Sequence, residues 1–444
     1  MNYQEAWTFL DNLQFFKIKL GLDSMNGFLD SVGHPQRNLK FVHVAGTNGK
    51  GSVSVTLLSL LVRAGYRVGL YTSPHLSSVR ERFRLNDSFI SEEKFAELAS
   101  RIVEVLAGRQ ITYFEFTTAL ALLWFAEQQV DLVILEVGLG GRLDATNVIT
   151  PEVSVITNVS MDHEAYLGNT LKEVAFEKAG IIKPRVPVVS AVTNDDSLLV
   201  VAEKCRELNS PFYLLGRDFK VEVSADRSWS YRGIFGQDRN IDHLSCLLPG
   251  RHQIDNSALA LAVLDLLANN NGFKVSPELV REVLPTVKWP GRLEYFCLDQ
   301  AGAVVFCLES EDEDVRHYLL DGAHNPGGVK SLALALAEEF EFDRLIMVWG
   351  SMTDKDILSS LAMVAPLCDQ IIFTRPEGER AADADILYKI LPAEFKSKAL
   401  LENSVVAALA KAQALASGRD LICVAGSLYL IGAVRKLLLG EIIK

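Results

Sequence analysis

The sequence predicts an α/β chain. A doubly wound N-terminal domain built on a phosphate-binding loop (P-loop) and decorated by a small antiparallel sheet is followed by a smaller Rossmann-like domain. Three observations carry this expectation. Short β-rich apolar runs alternate with longer helical stretches almost from end to end, as in a parallel sheet wrapped by helices. A Gly-rich turn, AGTNGKGS at Ala45 to Ser52, sits where a strand passes into a helix. The rhythm breaks once, between about Leu214 and Leu248, and restarts after WPGR, Trp289 to Arg292. A length of 444 residues suits two or three domains at about 150 residues each.

In chain order, Leu39 to Ala45 is a strand, Gly49 to Ala64 a helix closed by Gly65, and Arg67 to Tyr71 the next strand, one complete βαβ unit. Helices follow over Ser91 to Leu106 and Phe116 to Gln128, then strands at Leu132 to Glu136 and Val153 to Thr157. A helix over Leu171 to Gly180 and a strand at Val186 to Ser190 continue the pattern. The stretch KVEVSADRSWSYRGIF alternates polar and apolar residues between turns, which predicts a small antiparallel sheet. Helices over Asn256 to Ala268 and near Pro277 to Val283 lead to Pro290 and Gly291, a plausible hinge. The domain boundary is placed there, giving 1–290 and 291–444. The second part carries a strand to Leu320, a helix after Pro326, and strands at Arg344 to Trp349, Gln370 to Thr374 and Leu421 to Ala425. The acidic run Glu309 to Asp314 reads as a solvated loop.

Composition narrows the function. The 44 Lys and Arg against 56 Asp and Glu leave a net charge of −12, which repels a nucleic-acid backbone or an anionic membrane. Any polyanion must be met by a local site. The longest uncharged apolar stretch, Leu421 to Val434, is 14 residues with two glycines, short of the ~20 that span a bilayer. The N-terminus, MNYQEAWTFLDNL, lacks the basic start and apolar core of a signal peptide. A cytoplasmic protein, expected to act as a monomer, follows. Its six cysteines fall singly, with no C-x-x-C pair, and read as reduced core thiols.

AGTNGKGS is the sharpest chemical signal. A Gly-rich turn presents successive backbone N–H groups, the helix N-terminus adds partial positive charge, and Lys50 can reach terminal phosphates. Val44 and Gly51 stand where the common G-x-x-x-x-G-K-[ST] pattern has its first Gly and its Mg²⁺-binding hydroxyl, so a metal must find other ligands. Ligands in open α/β sheets bind beyond the carboxyl ends of the strands. There stand Ser73 after one strand, Glu136 ending another, and His163 past a third. Each alone has an ordinary structural explanation; their shared position at the strand ends is the argument. Mg²⁺ prefers oxygen, so His163 is an unusual ligand.

These motifs, with YTSPHL and ERFR, TYFEFTTALAL, EVGLGGRLDATN, TNVSMDHEAYLGNTLKEVAFEKAGIIK, WPGRLE and DGAHNP, resemble the folylpolyglutamate synthase and dihydrofolate synthase group of the Mur-type ATP-dependent amide ligases. The resemblance implies that Thr47, Asn48, Gly49, Lys50, Gly51 and Ser52 hold the ATP phosphates, with Asn256, Arg292 and Asp321 as further nucleotide contacts. Ser73 and Glu136 would ligate one Mg²⁺ and His163 a second. Lys178 matches a lysine carried as a carbamate, and His324 lies beside the reaction centre. Thr112, Tyr113, Phe114 and Glu115 with Leu143, Asp144 and Ala145 match a pterin pocket, and Leu20 and Gly21 a further pterin-contacting turn. One departure is length: EYFCLDQAGAVVFCLESEDEDVRHYLL between Arg292 and Asp321 reads as an extra hairpin.

The implied reaction uses ATP to phosphorylate a carboxylate, and the amine of L-glutamate then attacks the acyl phosphate. The substrates would be dihydropteroate, giving dihydrofolate, and tetrahydrofolates extended by further glutamates; the alternative is polyglutamylation alone. Rival classes fare worse. A guanine-dependent switch needs N-K-x-D, and the chain contains no Asn-Lys pair. A cell-wall Mur ligase would bind a nucleotide-sugar through a domain that the roughly 39 residues before the first strand have no room for. A non-catalytic nucleotide module has no use for Ser73, Glu136 and His163 together.

Overall fold

The computed structural model describes residues 1–13, 21–225, 227–236, 239–307 and 315–443. Leu20 and the acidic run Glu309 to Asp314 lie outside the described residues.

The first sheet contains β1 (Phe41–Ala45), β2 (Val68–Tyr71), β3 (Phe83–Leu85), β4 (Ser88–Phe89), β5 (Leu132–Glu136), β6 (Val153–Ile156), β7 (Val188–Ser190) and β8 (Phe212–Leu214). Their order is β4-β3-β2-β5-β1-β6-β7-β8. From β2 to β8 every pair is parallel, and at the other edge the β2–β3 and β3–β4 pairs are antiparallel. The two-residue period of a strand sends alternate side chains to opposite faces. Val42, Val44, Leu132 and Ile134 pack under the helices Lys50–Arg63 and Arg251–Asn271, while Phe41, Val133 and Leu135 meet the helices Glu92–Leu106 and Tyr113–Glu127. Ile134 is fully buried, and truncating such a residue to Ala costs about 2–5 kcal/mol. Tyr113–Glu127 is apolar nearly all round because it is buried on nearly every side.

The expected decoration is a three-stranded antiparallel sheet of β9 (Lys220–Val223), β10 (Trp229–Arg232) and β11 (Ile241–Leu244). It closes over the helix Arg251–Asn271, where Asp265 accepts a 2.8 Å hydrogen bond from Tyr231 Oη.

The second sheet comprises β12 (Glu294–Leu298), β13 (Val304–Val305), β14 (Arg316–Leu320), β15 (Leu345–Trp349), β16 (Gln370–Phe373), β17 (Ala399–Leu401) and β18 (Leu421–Ala425). Its order is β13-β12-β14-β18-β15-β16-β17, parallel from β14 onward. The long segment after Arg292 is the β12–β13 hairpin, paired antiparallel to β14. One expectation is corrected here. Cys297 and Cys307 are joined as a disulfide, their Cα atoms 5.4 Å apart, because the hairpin folds two cysteines ten residues apart back onto each other. Cys205, Cys368 and Cys423 are buried free thiols and Cys246 a partly buried one, as expected of core cysteines. Among the described residues no helix is long and apolar enough to cross a membrane.

Candidate active site

The P-loop runs from the end of β1 into the helix that begins at Lys50. Gly49 has φ +85°, and a Cβ there would sit 2.4 Å from Asn256 Oδ1; only glycine lets the turn lie this close to Asn256. The loop is fastened to the segment after β6. Asn48 N–H donates to Asn158 Oδ1 (2.9 Å), Thr157 Oγ1 to Asn48 O (2.6 Å), and Thr47 Oγ1 to Ser160 O (3.0 Å). Lys50 Nζ donates back to Gly46 O (3.0 Å) and Thr47 O (3.2 Å), so its charge stands inside the loop. Burial lowers its affinity for a proton, and the carboxylates of Glu136 and Asp162 oppose that loss.

Around this loop one cavity gathers Thr47 to Ser52, Ser73, Glu136, His163, Lys178, Asn256, Arg292, Asp321 and His324. These residues come from seven separate segments of the sequence, and the structure brings them to one place. Asp321 accepts N–H bonds from Leu293 (2.8 Å) and Ala323 (2.9 Å), tying the start of the second domain to the DGAHNP turn. Asn256 Nδ2 donates to Gln253 Oε1 (3.0 Å).

The donor set fits a hard divalent cation. Glu136 is buried, and burial pushes its carboxyl up while Lys50 pulls it down. Its Oε2 accepts Ser73 N–H at 3.2 Å. A buried carboxylate beside a serine hydroxyl is oxygen chemistry suited to Mg²⁺. His163 is placed differently from Ser73 and Glu136. Its Nε2 lies 3.4 Å from Lys355 Nζ, and burial with the Lys355 and His324 charges lowers its pKa to about 4 despite Asp162, so it is a neutral imidazole able to offer a lone pair. Lys178 is buried at 3 % exposure. Desolvation, then the Lys50 charge, lower its pKa from 10.5 to about 7.

A cluster that sequence reading missed joins the two domains at this point. Asp162 accepts from Lys355 Nζ (2.7 Å), Asn325 Nδ2 (2.9 Å) and His163 N–H (2.9 Å), with His324 Nε2 at 3.7 Å. Burial alone would raise the Asp162 carboxyl; the facing His324, His163 and Lys355 hold it far below the usual range. His324 Nδ1 donates to Gly322 O (2.7 Å), which leaves Nε2 for the cavity. Lys355 lies in an undistinguished MTDKD stretch, and no local signal marks it.

A second cavity, of about 290 Å³, opens beside the first. Gly21, Thr112, Tyr113, Phe114, Glu115, Leu143, Asp144 and Ala145 line it on one side; Arg82, Met352, Lys355, Arg380 and Tyr429 face them. Phe114 stands over Gly138, where a Cβ would come within 2.4 Å of its ring, and its ring lies 5.9 Å from that of Tyr71. Thr112 and Glu115 form a capping box on the helix Tyr113–Glu127, and this helix starts three residues earlier than the apolar pattern predicts. Asp144 accepts from Gly138 N–H (3.1 Å), Leu139 N–H (2.8 Å), Thr146 N–H (3.0 Å) and Thr146 Oγ1 (2.5 Å). Thr112 and Asp144 thus line the cavity with side chains that also serve the fold, Thr112 as a helix cap and Asp144 as an anchor of the pocket wall. Arg82, passed over within ERFR, is 3 % exposed. It donates Nε to His75 Nδ1 (3.0 Å), lies over the Tyr113 ring at 5.3 Å, and leaves Nη1 without a hydrogen-bond partner.

Comparison with known proteins agrees with this geometry. The Mur ligase middle domain matches residues 44–264, and the Mur ligase glutamate ligase domain matches residues 307–428. The chain belongs to the Mur ligase family of ATP-dependent ligases. It is 34% identical over 445 residues to a dihydrofolate synthase/folylpolyglutamate synthase of Bacillus subtilis, covering 98% of each chain. It also superposes on Escherichia coli FolC in complex with DHPP and ADP with a TM-score of 0.86, at 30% identity over 98% of this chain and 97% of that one. A bifunctional folylpolyglutamate synthase/dihydrofolate synthase from Yersinia pestis, complexed with AMPPNP and Mn ion, gives a TM-score of 0.84 at 30% identity over 99% and 98%. Within the Mur ligases the chain is a member of this dihydrofolate synthase/folylpolyglutamate synthase group, whose reaction is ATP-dependent amide-bond formation.

Proposed function

We propose that this chain joins L-glutamate to dihydropteroate, making dihydrofolate, and extends tetrahydrofolates with further glutamates. The observation that carries this reading is the junction of the two cavities, which share Ser73, Pro74, Gly138, Leu139, His163, His324 and Leu428. A flat pterin stacked on Phe114 would direct its far carboxylate through that junction toward the phosphate loop. Cationic Arg82, Lys355 and Arg380 line the same cavity and suit the carboxylates of the growing glutamate chain.

A carboxylate oxygen attacks the γ-phosphorus of ATP; the bond to ADP breaks and an acyl phosphate forms. The glutamate amine then attacks the acyl carbon and phosphate leaves. Thr47 to Ser52 cradle the phosphates, Lys50 offsets charge on the transferred group, and Asn256, Arg292 and Asp321 hold the nucleotide. Ser73 and Glu136 would hold one Mg²⁺ and His163 a second; the bound cation supplies further charge neutralisation at the phosphates. Lys178, as a carbamate, would turn a buried cation into an anion facing the metal. His324 Nε2 is placed to take a proton from the incoming amine. Closing the second domain at the Pro290–Gly291 hinge excludes water that would hydrolyse the acyl phosphate. A cytoplasmic monomer using ATP, L-glutamate and folates, without nucleic acid or membrane, is the consistent setting.

The test is heavy-oxygen transfer. Label in the dihydropteroate carboxylate is expected in the released inorganic phosphate; label confined to amide and water overturns the acyl-phosphate route.

A further inference from the structure

The β12–β13 hairpin lies away from both cavities and carries chemistry that the ligase reaction does not use. Cys297 is fully buried and Cys307 partly exposed next to Phe306, which is 86 % exposed. On β14, His317 is the register partner of Cys297, and its Nδ1 lies 3.3 Å from Cys297 Sγ. Tyr295 Oη lies 2.7 Å from the same nitrogen. Ligand atoms of Cys297, Cys307 and His317 all fall within 4.8 Å of one another.

We propose that Cys297 and Cys307 form a reversible thiol–disulfide switch, with His317 as its base and a cellular thiol or disulfide as its exchange partner. Three features favour reversibility over a permanent staple. The bond spans only ten residues and closes a hairpin near the sheet edge that is already held by the antiparallel pairing of β12 with β13 and β14. Cys307 is partly exposed and Cys297 fully buried, which gives exchange a defined direction of attack. This third feature rests on the cytoplasmic setting of the proposed function: in a reducing compartment a disulfide is as a rule transient or redox-sensing.

The steps balance. For reduction, an external thiolate attacks Cys307 Sγ; the S–S bond breaks, a mixed disulfide forms on Cys307, and Cys297 leaves as a thiolate that takes up a proton. A second external thiol releases Cys307, so two electrons pass from two thiols to the protein. For reoxidation, the Cys307 thiolate attacks an external disulfide; its S–S bond breaks, one half stays on Cys307 as the mixed disulfide and the other leaves as a thiolate that takes up a proton. The Cys297 thiol then passes its proton to His317 Nδ1 and attacks Cys307 Sγ, and the leaving thiolate recovers the proton. Burial and the Arg419 charge keep His317 below its ordinary pKa, so Nδ1 is a proton acceptor shared between the thiol and Tyr295. Among the described residues, Arg419 is the charged group whose field lowers this pKa, with Tyr295 and the Phe340 ring beside it.

The experiment equilibrates the full-length protein in a graded series of reduced and oxidised glutathione, quenches with an alkylating reagent and maps each cysteine by mass. Cys297 and Cys307 are expected to convert together in a two-electron transition while Cys205, Cys368 and Cys423 stay reduced. His317→Gln is expected to slow closure of the Cys307 mixed disulfide about tenfold and to flatten its pH dependence near neutrality, with glutamate ligation unchanged. If His317→Gln does not fold, Cys307→Ser is the second variant, and it should leave Cys297 unmodified by glutathione. Three results overturn the proposal: both thiols free throughout the series, a bond that excess dithiothreitol cannot reduce in the native protein, or stoichiometric zinc on purified protein that is lost in Cys307→Ser.

Discussion

Asn48 of the phosphate loop and Asn325 of the second domain hold each other through two hydrogen bonds. Asn48 Nδ2 donates to Asn325 Oδ1 at 3.2 Å, and Asn325 Nδ2 donates to Asn48 Oδ1 at 3.1 Å. Asn325 also caps the helix Pro326–Glu338 through Gly328 N–H (2.8 Å) and donates to Asp162. One buried amide thus couples the P-loop, the cluster around Asp162 and the second domain. The contact between the two domains therefore runs through the phosphate loop itself.

Asn325→Ala removes the latch and the cap together. A lost cap costs about 0.5–2 kcal/mol, so the thermal midpoint should fall by a few degrees, with kcat/KM about tenfold lower. Asn325→Ser separates the two effects: its hydroxyl can still cap the helix, but it is too short to pair with Asn48. It should keep the melting temperature closer to the parent and still lose activity. Parental kcat/KM in Asn325→Ser would show that the amide pair does not couple the domains.

Lys50→Ala should abolish ligation while leaving the fold intact. Among the described residues its ammonium bonds to its own loop carbonyls, and the helix it starts keeps its buried Val53, Val55, Leu57 and Leu58. Loss of a point charge facing the transferred phosphoryl group is on the order of a thousandfold in kcat. ADP release at saturating ATP, with circular dichroism as the fold control, decides this; undiminished turnover would remove Lys50 from the chemistry.

The parts of this architecture legible in the sequence share a cause. Strands such as β5 and β18 are fully buried apolar runs bounded by turns, so their limits were readable to the residue. Ser73, Glu136 and Lys50 were found because strand ends and a Gly-rich turn have fixed positions in a parallel sheet. Lys355 and Arg82 were not, because a charged residue in a loop carries no local mark of what faces it across a domain boundary. The Cys297–Cys307 pairing was missed for the same reason: it depends on hairpin register, which ten intervening residues do not spell out. The helices Asp195–Glu207 and Leu428–Leu439 also went unread; the second lies in the stretch weighed only for its length.

Lys178 should prove to be carbamylated. With a pKa near 7, a large share of the side chain is a free amine at neutral pH and can add carbon dioxide, which an ordinary lysine cannot. Activity in carbon dioxide-free buffer should fall and return on adding bicarbonate, and carbon-labelled bicarbonate should give a carbamate signal absent from Lys178→Ala. The unmodified protein has its own signature. The unfolded lysine keeps its proton to about 10.5 and the folded one only to about 7, so between these values the unfolded state binds more protons and stability rises with pH. Below pH 7 both forms are charged and the full burial penalty remains. Full activity in Lys178→Ala, or no carbamate signal in active enzyme, refutes the modification.

The pterin pocket should serve both activities, and Phe114 is the residue that tests it. Its ring is partly exposed to the cavity over Gly138 instead of being enclosed in the core, so Phe114→Ala removes a stacking face without opening a large internal void. Aromatic stacking beyond simple burial contributes about 0.5–1.5 kcal/mol; adding the lost contact area, KM for a pterin substrate should rise roughly 10- to 100-fold. Dihydropteroate and tetrahydrofolate should be affected alike, because both would present the same ring to the same wall, while KM for ATP stays at the parental value. ADP release measured with each substrate, Mg²⁺ and L-glutamate gives all three numbers. If the parent enzyme extends tetrahydrofolate but releases no ADP with dihydropteroate, the dihydrofolate synthase activity is absent and polyglutamylation alone remains. If Phe114→Ala instead raises KM for ATP, the two cavities have been assigned to the wrong substrates.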